Sequence, residues 1–156
     1  SLATDLEVGE IQKLYQLSNR LNIYLASELD EPWKCGFAGG QIMFLKCQGG
    51  GTLTHEMGHV FGLAHTFGGT PELVDGSNCA TAGDGICDTP ADPFEQDSEE
   101  EYVNGDCEFI WEGQDANGEY YLPDVGNIMS YYPCSCGFTR EQYIKMANNI
   151  MNSNMW

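Results

Sequence analysis

All three histidines of this chain fall within one run of eleven residues, His55-Glu56-Met57-Gly58-His59-Val60-Phe61-Gly62-Leu63-Ala64-His65. No other stretch constrains the fold as much. Residues four apart share a helix face, so His55 and His59 can aim two imidazoles at one point. Glu56 sits about one residue's rotation away, out of direct reach of that point but able to touch a water there. Gly62 accepts positive φ without strain and is a natural helix stop. The chain can then turn and bring in His65 from another direction. Neutral imidazole nitrogens are good Zn²⁺ ligands, and three of them leave a fourth tetrahedral position open, as in a catalytic site. The short His-Glu-x-x-His pattern is only moderately specific; Gly62 and His65 make it much stronger.

The remaining composition narrows the setting. A chain of 156 residues suits a single domain with one core. No apolar run approaches the roughly 18–20 residues that span a bilayer, so no membrane partner is expected. No signal peptide is visible at the start of the chain. Net charge is −18, residues 47–139 lack Lys and Arg, and residues 72–124 hold 16 of the 24 acidic residues. Such a surface repels phosphates, which argues against nucleic acid. It fits a solvated acidic face together with one or more Ca²⁺ sites, or an attraction for cationic peptides. Seven cysteines form no paired C-x-x-C knuckles, so disulfides in a secreted, extracellular protein are the simpler account, with one thiol left over.

In chain order, Thr4 and Glu7 suggest a capping box before an amphipathic helix of about residues 5–19, carrying Leu6, Ile11, Leu14, Tyr15, Leu17 and Ser18. Residues 21–26 alternate as a half-buried strand, 28–40 read as a loop, and 41–47 read as a second strand. Cys35 and Cys47 bracket this region and could pair. Residues 52–63 form the metal helix, with Met57, Val60, Phe61 and Ala64 on its buried side. Residues 66–128 show weak periodicity and dense Gly, Asp, Pro and Asn, a long irregular segment that disulfides and bound ions would have to support. Within it, Asp84-Gly85-Ile86-Cys87-Asp88-Thr89-Pro90 can be read equally as a Ca²⁺ loop or an ordinary turn. Thr139 and Gln142 make a capping box for a last helix of about 140–152, with Tyr143, Ile144, Met146, Ala147, Ile150 and Met151 on its apolar face. There is no internal repeat and no clear domain boundary.

These residues resemble a metzincin metallopeptidase, on His55 through His65 and on Met129 in Asn127-Ile128-Met129-Ser130-Tyr131. Within that group they are most similar to the pappalysin family. That likeness rests on His65-Thr66-Phe67, on Gly83 through Pro90, on the Met129/Tyr131 pair, and on Phe138-Thr139-Arg140-Glu141-Gln142 with Met146. The resemblance implies an α/β (α+β) domain, 1–156, split by a cleft. Upper residues 1–65 would hold a small mixed sheet and the metal helix. Lower residues 66–156 would be irregular, disulfide-linked and closed by a C-terminal helix. It implies catalytic Zn²⁺ on His55, His59 and His65, and a Met-turn at Met129. It also implies a structural Ca²⁺ on the side chains of Asp84 and Thr89 with carbonyls near Gly83 and Cys87. One departure is the short run of 54 residues before His55, where the family usually carries further strands.

The expected activity is endopeptidase hydrolysis of peptide or protein substrates. Glu56 would be general base and then general acid, and Tyr131, rather than its neighbour Tyr132, would stabilise the oxyanion. A substrate strand would add along 41–47 if that is the cleft edge, with 132–138 walling a pocket. A pro-segment or inhibitor is a further expected partner. The competing readings are a zinc- and calcium-stabilised binding module descended from a peptidase, and an astacin-like metzincin.

Overall fold

A computed structural model describes residues 5–29, 31–32, 34–47, 50–96 and 98–153. The chain forms two compact units, Ser1–Gly62 with Ala147–Trp156, and Leu63–Met146. The fold is a small mixed α/β arrangement of one three-stranded sheet and helices, consistent with a metzincin-like domain.

The first unit contains α1 (Asp5–Tyr15), β1 (Asn22–Leu25), β2 (Gly36–Gly39), β3 (Ile42–Leu45) and α2 (Gly50–Val60). Strand order is β1-β3-β2, with β3 parallel to β1 and antiparallel to β2. The central strand is therefore the most apolar, and all four of its residues, Ile42 to Leu45, are buried. Phe44 stacks between its register partners Tyr24 and Phe37, at ring separations of 4.8 and 4.9 Å. Such cross-strand aromatic pairs each add up to about 1 kcal/mol. Leu29, Ile42 and Phe44 form a core against which Val8, Ile11, Tyr24, Ala26 and Phe37 pack. The Cys35–Cys47 disulfide ties the start of β2 to the end of β3. Gly40, at φ 59°, takes the left-handed conformation that the tight β2–β3 turn requires.

Three expectations need correction here. Residues 28–40 are not all loop, because β2 lies within them. Its Gly-Phe-Ala-Gly sequence carries little strand propensity, and pairing with β3 supplies what propensity lacks. Residues 41–47 cannot be the sheet edge, because β3 has a partner on each side. Helix α1 ends at Tyr15, so Leu17 and Ser18 lie beyond it, and Leu14 and Tyr15 are exposed. The Asn22 side chain closes the chain after α1, accepting from Leu17 N–H and donating to Leu17 C=O. The Thr4–Glu7 capping box falls outside the described residues.

The second unit is irregular, as the sequence suggested, with three isolated β-bridges among its described residues. Disulfides Cys79–Cys87 and Cys107–Cys134 staple it, and Cys136 is a free, exposed thiol. Its backbone is satisfied locally by side chains: Asp75, Asp84, Asp92, Asn104, Asp115 and Asp124 each accept the N–H two residues on. Asx turns of this kind substitute for a ladder, and five of the acidic residues serve them.

Helix α3 (Arg140–Met151) starts with the expected capping box. Thr139 N–H donates to Gln142 Oε1 at 2.9 Å, and Gln142 N–H to Thr139 Oγ1 at 3.3 Å. Asp88 reinforces this end, accepting from Thr139 Oγ1 and from Glu141 N–H. The apolar face expected for α3 is largely wrong. Its buried residues are Gln142 and Met146, while Tyr143, Ile144 and Met151 are exposed. A polar side chain takes the inside because it bonds Asn127, Thr139 and Asp84.

Candidate metal centre

Helix α2 carries His55, Glu56 and His59. One helical turn brings the His55 and His59 Nε2 atoms to 3.1 Å, with the rings edge-to-face at 4.8 Å. The helix then stops as Gly62 requires: Gly62 N–H donates to His59 C=O, its φ is 87°, and Asn149 Nδ2 caps Phe61 C=O at 2.7 Å. Any side chain at position 62 would strike Asn149. Three residues later comes His65. One ligand atom from each of His55, His59 and His65 lies within 4.8 Å of the others, and all three side chains are half-buried.

Glu56 is buried at 6 % exposure, and its Oε2 has no hydrogen-bond partner. Burial pushes its carboxyl up to about 7, opposed by the Lys34 charge. A partnerless buried carboxylate oxygen is costly unless a proton or a bound group meets it. The same side chain lies against β2. A methyl group placed on Gly36 would stand 3.1 Å from Glu56 Oε1 and Cγ. The rest of the buried side of α2 differs from expectation: Met57, Val60 and Phe61 are only half-buried, and Ala64 is exposed. The helix turns Glu56 and Gly58 inward instead.

In the second unit, Met129 is fully buried, and its C=O accepts from Thr66 N–H, next to His65. Tyr131 packs edge-to-face on His65 at 4.8 Å, and both rings meet Phe67. The two neighbouring tyrosines are thereby separated in kind. Tyr131 is 40 % exposed, whereas Tyr132 is buried with its hydroxyl donating to Asp92 Oδ1 at 2.7 Å. Burial and the Asp92 charge both hold the Tyr132 phenol above its usual range.

Around Asp84 the donors are also buried. Asp84 accepts from Ile86 N–H and from Gln142 Nε2, and the buried Thr89 side chain lies next to it. Burial raises the Asp84 carboxyl, with the Ile86, Gln142, Thr89 and Lys145 interactions opposing. Gly83, at φ 54°, leaves room for Glu72, a second buried carboxylate that sequence reading missed. Burial first, and then Asp84, push Glu72 up to about 7. Nothing in the Pro-Glu-Leu context of Glu72 marks it. Cys87 is committed to its disulfide with Cys79.

A peptidase family model described by pregnancy-associated plasma protein-A matches residues 37–151, more than half of the chain. Two fungal relatives, extracellular metalloproteases of Colletotrichum graminicola and Podospora anserina, are each 52% identical over 42 residues. That segment is 27% of this chain and 12% of each relative, so the match spans a small part of their length.

Proposed function

Because the chain belongs to the peptidase family of pregnancy-associated plasma protein-A, we propose that it is a secreted, pappalysin-like zinc endopeptidase. In this reading residues 1–156 form one catalytic domain. The observation that carries the proposal is the gathering of three imidazole ligand atoms within 4.8 Å, two of them on the helix that also buries a partnerless Glu56 oxygen. A soft-to-borderline nitrogen donor set of that size suits zinc. Secretion is supported by three disulfides and by relatives named as extracellular.

His55, His59 and His65 are the ligands. When bound, zinc supplies a Lewis acid and lowers the pKa of a bound water from 15.7 towards about 7. Glu56 takes the proton of the attacking water and returns it to the leaving amine nitrogen. Its burial keeps the carboxylate out of bulk solvent and ready to hold a proton. Tyr131, held against His65, offers its hydroxyl to the carbonyl oxygen as negative charge develops there. Met129 packs as the apolar floor of the Met-turn.

The substrate pairs with β2 rather than β3. β2 is an edge of the sheet, and Gly36 on it lies against Glu56. A peptide added there gains main-chain hydrogen bonds next to the general base. Asp84 and Thr89 side chains, with the Gly83 and Cys87 carbonyls and Glu72, hold a structural Ca²⁺. Three buried hard-oxygen side chains, Glu72, Asp84 and Thr89, with both carboxyls raised, support that assignment.

A quenched fluorescent peptide library tests the activity. Cleavage stops on chelation and returns with added zinc. Cleavage that survives removal of all metal overturns the proposal. Stoichiometric zinc without any cleavage replaces it with a metal-stabilised binding module.

A further inference from the structure

Asp92 receives more side-chain hydrogen bonds than the proposed reaction gives it reason to. Its Oδ2 accepts from Thr66 Oγ1 at 2.5 Å and Ser130 Oγ at 2.8 Å, and its Oδ1 accepts from Tyr132 O–H at 2.7 Å and Phe94 N–H at 3.1 Å. These donors have a common feature. Thr66 directly follows His65, while Ser130 and Tyr132 flank Tyr131 on both sides and Ser130 follows Met129. One carboxylate thus joins the segment of the third imidazole to the Met-turn segment, in parallel with the Thr66 N–H to Met129 C=O bond. Thr66, Ser130 and Tyr132 are all buried, so each hydroxyl needs this acceptor. Phe94 carries the clamp further, with its ring against Phe67, Tyr131 and Tyr132.

We propose that Asp92 is a positioning residue, fixing His65 for metal binding and Tyr131 for the oxyanion through Thr66, Ser130 and Tyr132. The inference rests on the zinc reading given above. A carboxylate is suited to the task because it accepts without donating, so one group can satisfy three hydroxyls and an amide at once. An amide in its place puts an NH₂ where the Thr66 and Ser130 hydroxyls now donate, so both hydroxyls must turn their protons elsewhere, and the negative charge that strengthens all four bonds is lost. Partners that orient a metal ligand are worth about 10–100-fold in metal affinity when removed. One step further from the metal, the lower end of that range applies.

The test is the zinc dissociation constant of the whole chain, by competition with a chromogenic chelator, alongside kcat and KM. Asp92→Asn is compared with Asp115→Asn. Asp115 is a second hub of the same irregular unit, bonded to Val74, Asn117 and Glu119 N–H and to none of the residues above. Both variants lower the melting temperature. Only Asp92→Asn weakens zinc, by about tenfold, and lowers kcat with KM little changed. If Asp92→Asn does not fold, Thr66→Val and Tyr132→Phe carry the same criterion. A change of less than fivefold in a folded variant, or an equal change in Asp115→Asn, overturns the proposal while leaving the zinc site standing. A parent chain that binds no zinc ends both readings together.

Discussion

Gly36→Ala is a one-carbon test of how Glu56, the proposed general base, is held. The added carbon would stand 3.0 Å from the Phe44 carbonyl oxygen and 3.1 Å from Glu56 Cγ and Oε1, against an ordinary contact limit of 3.4 Å. The shortfall is about 0.3–0.4 Å on each contact. Phe44 belongs to the fully buried central strand and moves only with the sheet, so the Glu56 side chain yields. A misplacement of 1 Å can cost about 10²-fold in rate, so a third of that distance gives about fivefold in kcat/KM. Overpacking adds about 1–3 kcal/mol of destabilisation. At about 2–4 °C per kcal/mol, the melting temperature falls by about 2–12 °C. Gly39→Ala is the control, because it lies on the same strand and its new carbon meets nothing within 4 Å. Neither glycine has positive φ, so backbone strain does not enter. Peptidase kinetics and thermal unfolding of the two variants decide the matter. Equal kcat/KM for Gly36→Ala and Gly39→Ala would refute the placement of Glu56 against β2.

Further outcomes follow from other parts of the chain. Gln142→Leu leaves the fully buried Asn127 amide and Thr139 N–H without their partner, and urea denaturation should show a loss of about 2–4 kcal/mol. Cys136→Ser leaves stability within about 0.5 kcal/mol of the parent, and thiol titration falls from one per chain to none. Glu72 sets a pH dependence. Its folded pKa, about 7, lies above the ordinary carboxyl value, so its contribution to stability is full at low pH and is lost as pH rises through 7. Without Ca²⁺ the melting temperature should therefore fall from pH 5 to pH 8, and saturating Ca²⁺ should remove the fall. An unchanged pH trend with Ca²⁺ present would argue against a cation at Asp84 and Glu72.

Where periodicity or spacing was strong, the fold was legible in the chain. The helix ending at Gly62, the Thr139–Gln142 cap, the Cys35–Cys47 bond and the irregular middle segment each have a local cause that sequence exposes. β2 was hidden because Gly36-Phe37-Ala38-Gly39 has turn composition and becomes a strand only through β3. The inner face of α3 was misread because apolar residues were assigned to it, whereas Gln142 earns its burial through polar bonds that only the folded chain provides. For the same reason Asp92 and Glu72 stayed invisible. Both lie among many similar acidic residues, and the partners of Asp92 are 26 to 40 positions away. The exposure of Tyr143, Ile144 and Met151 has no account in the contacts of this chain.

The central claim is that Glu56 moves the proton in a reaction run beside three converging imidazoles. Its most direct test is kcat/KM of Glu56→Gln, measured on protein first shown to carry the same zinc content as the parent. A fall of about 10²–10⁴-fold is expected for loss of a general acid–base. Cleavage within tenfold of the parent at equal zinc would contradict it.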